Sequence, residues 1–426
     1  MQIHLQTLGC RLNEAELETW AEHFQAQGHH IVQTPEQADL LVINTCAVTQ
    51  EAVKKSRQII RRAHKRNPKA KLIVSGCYAT LDSNIKLDID SIDLIVGNKQ
   101  KDDLVNIVLN ELNIEAMPML ASEPDEAAIF QRGRNRAFIK VQDGCRYRCT
   151  FCIVTIARGE EKSRKISAII EEINSIHAKG IQEIVLTGVH LGGYGSNIDT
   201  NLTQLINTIL SETTVPRIRL GSLEPWELDD KFFSLFSNPR LMPHLHLPLQ
   251  SGVDSVLRRM ARRCKTNDFA GLINKARELI PDINITTDII VGFPGESDKE
   301  WQASLAFIEK MAFSHIHIFT YSPRAGTKAA TLPEPVANDL KKQRSHALHM
   351  LTQTMRLNFL NKHVNTQREV LWETKNGDGF WTGYTDNYIR VELKHVCDEN
   401  LENTITKVKL TSPSINSGIY KASLLN

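Results

Sequence analysis

Residues 137–152 read AFIKVQDGCRYRCTFC: a strand-like run, Ala137–Gln142, and then Cys145, Cys149 and Cys152 in the spacing Cys-x3-Cys-x2-Cys. The spacing puts three thiolates on one tight loop, and no fourth Cys or His follows nearby. Three thiolates hold three irons of a cubane iron–sulfur cluster and leave the fourth iron open to a substrate or cofactor. A closed structural zinc site takes four protein ligands. Three ligands and a vacancy point to chemistry. The competing readings are a zinc knuckle with a distant fourth ligand, or three unrelated buried thiols.

Downstream of this loop, strand-like and helix-like patterns alternate. SAIIEEINSIHAKG, IQEIVLTG, NLTQLINTILSE, PRIRLGS, HLHLPLQ, FAGLINKARELI, INITTDIIVG, WQASLAFIEKM and SHIHIFTYS give about six strand–helix units, a partial or full β/α barrel. In such barrels chemistry sits at the C-terminal ends of the strands, which is where the cysteine loop falls. Leu340–His363 reads as a long closing helix, and from about Gln367 short strands separated by Gly, Asn and Asp turns imply a small antiparallel five-stranded β-barrel. Upstream, residues 1–120 alternate strands (IHLQTLG, DLLVINT, KLIVSG, SIDLIVG) with amphipathic helices, the pattern of a parallel sheet covered on both faces. A polar stretch, Ala121–Arg136, reads as a linker. The expected class is therefore α/β, with segments 1–120, 131–365 and 366–426.

The bulk numbers exclude several classes. The 426 residues are 41% hydrophobic and 23% charged, ordinary for a globular protein of two to four domains. No apolar run is long enough to cross a membrane, and MQIHLQTLGC reads as a strand instead of a secretory signal. Eight cysteines without such a signal imply a reducing, cytoplasmic setting. The net charge of +2 does not by itself indicate nucleic acid, but Lys54–Lys71 holds nine basic residues and no acidic one. That run reads as phosphate contact or as a solvated face. Arg258, Arg259, Arg262, Arg263 and Lys265 form a second basic group. The C-terminal segment from Thr366 has seven basic and eight acidic residues, so its aromatics Trp372, Phe380, Trp381 and Tyr384 either stack on RNA or form a small core.

A second set of cysteines lies upstream: Cys10 in TLGC, Cys46 in NTC and Cys77 in SGC, each just after a strand-like run. In a parallel sheet these strand ends share one edge, so residues 36 and 31 apart in sequence can meet. The alternative is three buried structural thiols.

The Cys145 spacing is that of the radical S-adenosylmethionine (SAM) enzymes, and TLGCRLNEAE, NTCAVT and SGCYA resemble the N-terminal domain of their methylthiotransferase branch. The resemblance covers essentially the whole chain. It implies an N-terminal methylthiotransferase domain, a radical SAM core and a C-terminal RNA-binding TRAM-like barrel. It implies two [4Fe-4S] clusters, one on Cys145, Cys149 and Cys152, the other on Cys10, Cys46 and Cys77. The first cluster would cleave SAM to a carbon radical, and the second would hold the sulfur that enters the product. Implied partners are a tRNA anticodon loop, a reductase or flavodoxin-type electron donor and a sulfur source, with no membrane. YSPRAGTKAA (Tyr321–Ala330) looks most like the group acting on N6-threonylcarbamoyladenosine 37, the alternatives being isopentenyladenosine 37, a ribosomal-protein aspartate or, outside the enzymes, a non-catalytic iron–sulfur RNA-binding protein. Val154-Thr155-Ile156 and Cys264-Lys265 depart from the family pattern near the expected substrate opening. For SAM, the expected contacts are Phe151, Gly188 in LTGVHLGGYG, Ser222 and Glu224 in GSLEP, and Arg158, with Arg158 and Arg164 also able to meet RNA phosphate. Gln250 in HLPLQSG and Asp288 in TTDIIVGFPGE are the expected catalytic residues, Asp288 orienting an active-site group.

Overall fold

The computed structural model describes residues 1–82, 89, 91–114, 135–394, 400–413 and 419–424. The expected linker lies outside them except for Asn135 and Arg136, as does Cys397. The described residues fall into two compact units. One takes its residues from Met1–Arg132, Asp143–Lys162 and Ser322–Thr327, the other from Gly133–Gln142, Ser163–Tyr321 and Lys328–Asn426. These units are discontinuous in sequence, unlike the three contiguous segments expected. The cysteine loop groups with the N-terminal domain, and the C-terminal barrel groups with the β/α core.

In the first unit, strands run parallel in the order His30–Ile31, Gln2–Thr7, Leu40–Thr45, Lys71–Gly76, Leu94–Val96. The central strand Leu40–Thr45 is buried throughout because both its faces are covered. Leu40 and Val42 pack with Trp20 and Phe24 of helix Arg11–Ala26, and Leu41 and Ile43 pack with Ile60 and Ala63 of helix Gln50–Arg66. The two-residue edge strand is too short to leave a periodic signal, so the sequence implies four strands where the described residues hold five.

Among the described residues of the second unit, six parallel strands follow chain order: Arg136–Lys140, Glu183–Thr187, Arg217–Leu220, His244–His246, Asn284–Val291 and His315–Thr320. They form two three-stranded sheets joined by the bridges Ile218–Leu241 and Ser222–His246, an open partial barrel. The closed C-terminal barrel has the five expected strands, Gln367–Lys375, Trp381–Thr385, Arg390–Leu393, Ile405–Pro413 and Tyr420–Leu424. It is not wholly antiparallel: Val391 pairs with Tyr420 in a parallel register. An odd number of strands cannot alternate direction all the way round a closed barrel, so one parallel pair is unavoidable. Trp372, Trp381 and Tyr420 fill its core. Arg217 and Arg219 tie it to the β/α core by donating to the carbonyls of Tyr384, Glu369, Asp386 and Thr385.

Candidate active site

Cys10, Cys46 and Cys77 each follow the C-terminal end of one of three adjacent parallel strands. Two glycines bring the turns together. Gly9 has φ +128°, and a Cβ there would lie 2.8 Å from Cys46 Cβ and 3.1 Å from Cys46 Sγ. Gly76 has φ +98°, and a Cβ there would lie 2.3 Å from the Thr45 carbonyl. Only glycine takes both the left-handed backbone and the close approach. Burial pushes the Cys46 thiol up, and the neighbouring Cys10 and Cys77 add to the shift. The Asn98 amide donates to Cys77 Sγ at 3.6 Å. Three cysteines gathered at one sheet edge, with Cys46 held against becoming an anion by burial and its neighbours, fit a cationic group that takes them as thiolates.

The loop carrying Cys145, Cys149 and Cys152 is closed at its neck. A Cβ on Gly144 would lie 1.9 Å from the Glu160 carbonyl, and the Cys145 N–H donates to Gly159 O at 3.1 Å. Within the loop the Cys152 N–H donates to Cys149 O at 3.0 Å, and the Tyr147 N–H to Cys145 Sγ at 3.4 Å. All three cysteines and Phe151 are half-buried, and no described cysteine is in a disulfide. Half-exposed free thiols with a backbone donor on sulfur fit an iron–sulfur cluster with one accessible corner.

Arg158, expected to meet SAM or phosphate, has its side chain only 2% exposed. Its guanidinium donates to Glu16 at 2.9 Å, to Asp143 at 3.0 Å and to Asn13 Oδ1 at 2.7 Å. Burial alone would weaken its charge, but Glu16 and Asp143 hold it protonated. Glu16 also takes the buried Lys101 ammonium at 2.5 Å and the Asn44 amide at 2.9 Å. Arg158 therefore ties the Cys145 loop to the helix that begins after Cys10. Asn98 makes a parallel tie, donating to Ala157 O at 2.8 Å as well as to Cys77. The sequence reading missed Asn13, Glu16, Asn98 and Lys101. The available signal was Glu16, a carboxylate on the face of the helix that carries Leu12, Leu17 and Trp20 into the core.

In the second unit, alternation along the strands gathers polar side chains on one face. Glu183 lies between Arg219 at 2.8 Å and Arg136 at 3.7 Å, and Arg136, Arg219 and His244 all meet the Tyr388 ring. Burial would raise the Glu183 carboxyl, but Arg219, Arg136 and Arg217 bring it below its ordinary value. Asp288 Oδ1 lies 3.1 Å from His246 Nε2, and His246 Nδ1 lies 2.8 Å from Thr286 Oγ1. Asp288 thus has a ring to orient. Gln250 is buried at φ +76°, its N–H donating to Asp288 O at 2.8 Å. A non-glycine residue held there stores about 1–3 kcal/mol of strain. Gly188 leaves room for Gln142, whose side-chain oxygen accepts the His190 N–H at 2.8 Å. Ser222 is exposed beside His246. Glu224, expected at SAM, is held by Arg262 at 2.6 Å, and Arg262 lies over the Trp226 ring. Arg164 pairs with Glu172 at 2.6 Å.

Neither basic run is bare. Arg57 pairs with Asp82, Arg66 with Glu36 and Lys71 with Asp93, all acids brought in by the fold, while Lys54, Arg61, Arg62, Lys65 and Lys69 remain on the surface. Arg259 pairs with Glu300 at 2.8 Å. In the C-terminal barrel Trp372 and Trp381 are core residues, and Tyr384 stacks on Tyr388.

The chain matches two families: "Uncharacterized protein family UPF0004" over residues 2–97 and "Radical SAM superfamily" over residues 139–308. It is 36% identical to the threonylcarbamoyladenosine tRNA methylthiotransferase MtaB of Thermotoga maritima, covering 92% of this chain and 91% of that protein. The protein of the same name from Bacillus subtilis is 34% identical, over 96% and 93% of the two chains. Among solved structures, the radical S-adenosylmethionine methyltransferase TsrM from Kitasatospora setae superposes with a TM-score of 0.59 at 13% identity, covering 83% of this chain and 89% of that one. That likeness is one of fold. With six free cysteines in two convergent sets and relatives matching nearly end to end, the chain belongs to the methylthiotransferase family of the radical SAM superfamily.

Proposed function

We propose that this protein is a tRNA methylthiotransferase that replaces the C2 hydrogen of N6-threonylcarbamoyladenosine 37 with a methylthio group. The observation that carries the reading is the convergence of Cys10, Cys46 and Cys77 at one sheet edge in a chain that also holds the Cys145–Cys149–Cys152 loop. The relatives named for the threonylcarbamoyl substrate supply the nucleoside. When bound, two [4Fe-4S] clusters and SAM supply a carbon radical, a sulfur atom and its methyl group.

The chain's own residues have separate tasks. Cys145, Cys149 and Cys152 would hold one cluster and Cys10, Cys46 and Cys77 the other, three ligands each. Tyr147 and Asn98 donate to cysteine sulfurs, which stabilises the thiolate form. Phe151, Gly188 and Ser222 remain our candidates for SAM contact, and Gln250 and Asp288 for the reaction site. Glu224 and Arg158 act through the partners they hold, Arg262 and Glu16. Residues 1–120 form the sulfur-bearing part, 131–365 the radical core and 366–426 the RNA-binding barrel. A reductase or flavodoxin-type protein would give the electron, a separate sulfur source would supply the sulfur, and the reaction runs in the cytoplasm. No helix among the described residues is long and apolar enough to cross a membrane.

The test is anaerobic reconstitution with SAM, reductant and tRNA carrying threonylcarbamoyladenosine, followed by nucleoside digestion and mass spectrometry. A methylthio-threonylcarbamoyl nucleoside together with 5′-deoxyadenosine is expected. Deoxyadenosine without that nucleoside, or its appearance only on isopentenyl tRNA, rejects the substrate.

A further inference from the structure

Strand His315–Thr320 ends at the C-terminal rim of the partial barrel, where β/α folds place substrate contacts. On one face it alternates His315, His317 and Phe319. His315 is half-buried, His317 is exposed, and Phe319 is an exposed large apolar side chain at 43%. His317 pairs in register with Asp288, and its ring lies edge-on to His246 at 5.3 Å and to His315 at 4.8 Å. One polar atom each from His246, Asp288 and His317 lie within 4.8 Å of one another. His246 is held at both ring nitrogens, by Asp288 and by Thr286. His317 is the outward member of a ring set braced from behind.

We infer that this strand reads the target nucleoside at two points: Phe319 stacks on the adenine, and His317, braced by His246 and Asp288, hydrogen-bonds the polar N6 substituent. The inference rests on the threonylcarbamoyl reading proposed above. Residues two apart on a strand are about 7 Å apart, which is on the scale of the distance from a purine ring to the end of an N6 side chain. An isopentenyl group needs an apolar pocket. A threonylcarbamoyl group offers a carboxylate, a hydroxyl and urea N–H groups, and the imidazole donors and the Asp288 acceptor complement them. Sites built around hydrogen bonds discriminate against analogues that lack the partner, because the site's polar groups are then left unpaired. An exposed aromatic accepts any base by stacking, so Phe319 contributes affinity without choosing the substituent.

The test uses the full-length, cluster-reconstituted protein and one tRNA in three forms, bearing adenosine, N6-isopentenyladenosine or N6-threonylcarbamoyladenosine at position 37. Fluorescence anisotropy gives Kd for each. The wild type is expected to bind the threonylcarbamoyl form about tenfold or more tighter than the adenosine form, the scale of one good polar contact. His317→Leu removes that ratio and leaves the Kd for the adenosine form unchanged. Phe319→Ala weakens all three forms alike, by about fivefold or more. Retention of the ratio in His317→Leu, or wild-type affinities in Phe319→Ala, overturns the inference. A wild type with no preference for the threonylcarbamoyl form overturns the substrate reading itself, a result distinct from any change confined to the variants.

Discussion

Glu16 is a single carboxylate between two buried cations, Arg158 and Lys101. Removing its charge leaves both without their shared partner in a low-dielectric interior. Glu16→Gln is therefore expected to destabilise the protein by about 3–5 kcal/mol, read as a lowered denaturant midpoint. An unchanged midpoint would mean that Glu16 is not what balances Arg158 and Lys101. Residues such as these divide by what a sequence exposes. The gathering of Cys10, Cys46 and Cys77 at one sheet edge was legible because each follows a strand-like run of a parallel sheet. The tie from Arg158 to Glu16 was not, because it spans 142 positions and no local pattern joins the two ends. Asp288 was legible as an unusual acid inside a strand, but its partner His246 emerges only from the pairing of neighbouring strands.

The neck of the Cys145 loop behaves as one element, held by Gly144 against Glu160 and by the Cys145–Gly159 hydrogen bond. Gly144 has φ +70°, and any side chain would meet backbone that cannot swing aside. Gly144→Ala is expected to cost the protein the iron of this loop, roughly half of the total, with far-ultraviolet circular dichroism unchanged. Full iron retention would contradict the tight neck. At this scale the sequence was informative wherever an element was long and periodic. The helix Gln50–Arg66 is one of the amphipathic helices expected there, capped by Thr49, and the long closing helix expected over Leu340–His363 runs Asn338–Asn361. The edge strand His30–Ile31 was invisible because two residues carry no period. The partners of the basic run were not legible, because Glu36, Asp82 and Asp93 lie outside it and arrive only on folding.

For the whole molecule, acid stability should report the histidine cluster. Burial, with His317, Arg356, His246 and His349 nearby, lowers His315 from 6.5 to about 4. Asp288 is the acid on the same face, through its pair with His246. The unfolded chain then binds the His315 proton more readily than the fold does. Its contribution is present above about pH 6.5 and is lost as pH falls towards 4. His315→Gln should flatten the stability–pH curve in that window, measured by thermal midpoints. An unaltered slope would remove His315 as its source. The partial barrel and the five-stranded C-terminal barrel were legible as patterns, whereas the grouping of the cysteine loop with the N-terminal domain was not, because contiguity in sequence is a poor guide to which surfaces pack. That grouping puts both cysteine triads in one compact unit, and the account depends on both being metal sites. Iron per chain after anaerobic reconstitution measures this directly: about eight irons in the wild type and about four in Cys46→Ala are expected, whereas about four in both, or bound zinc, would contradict it.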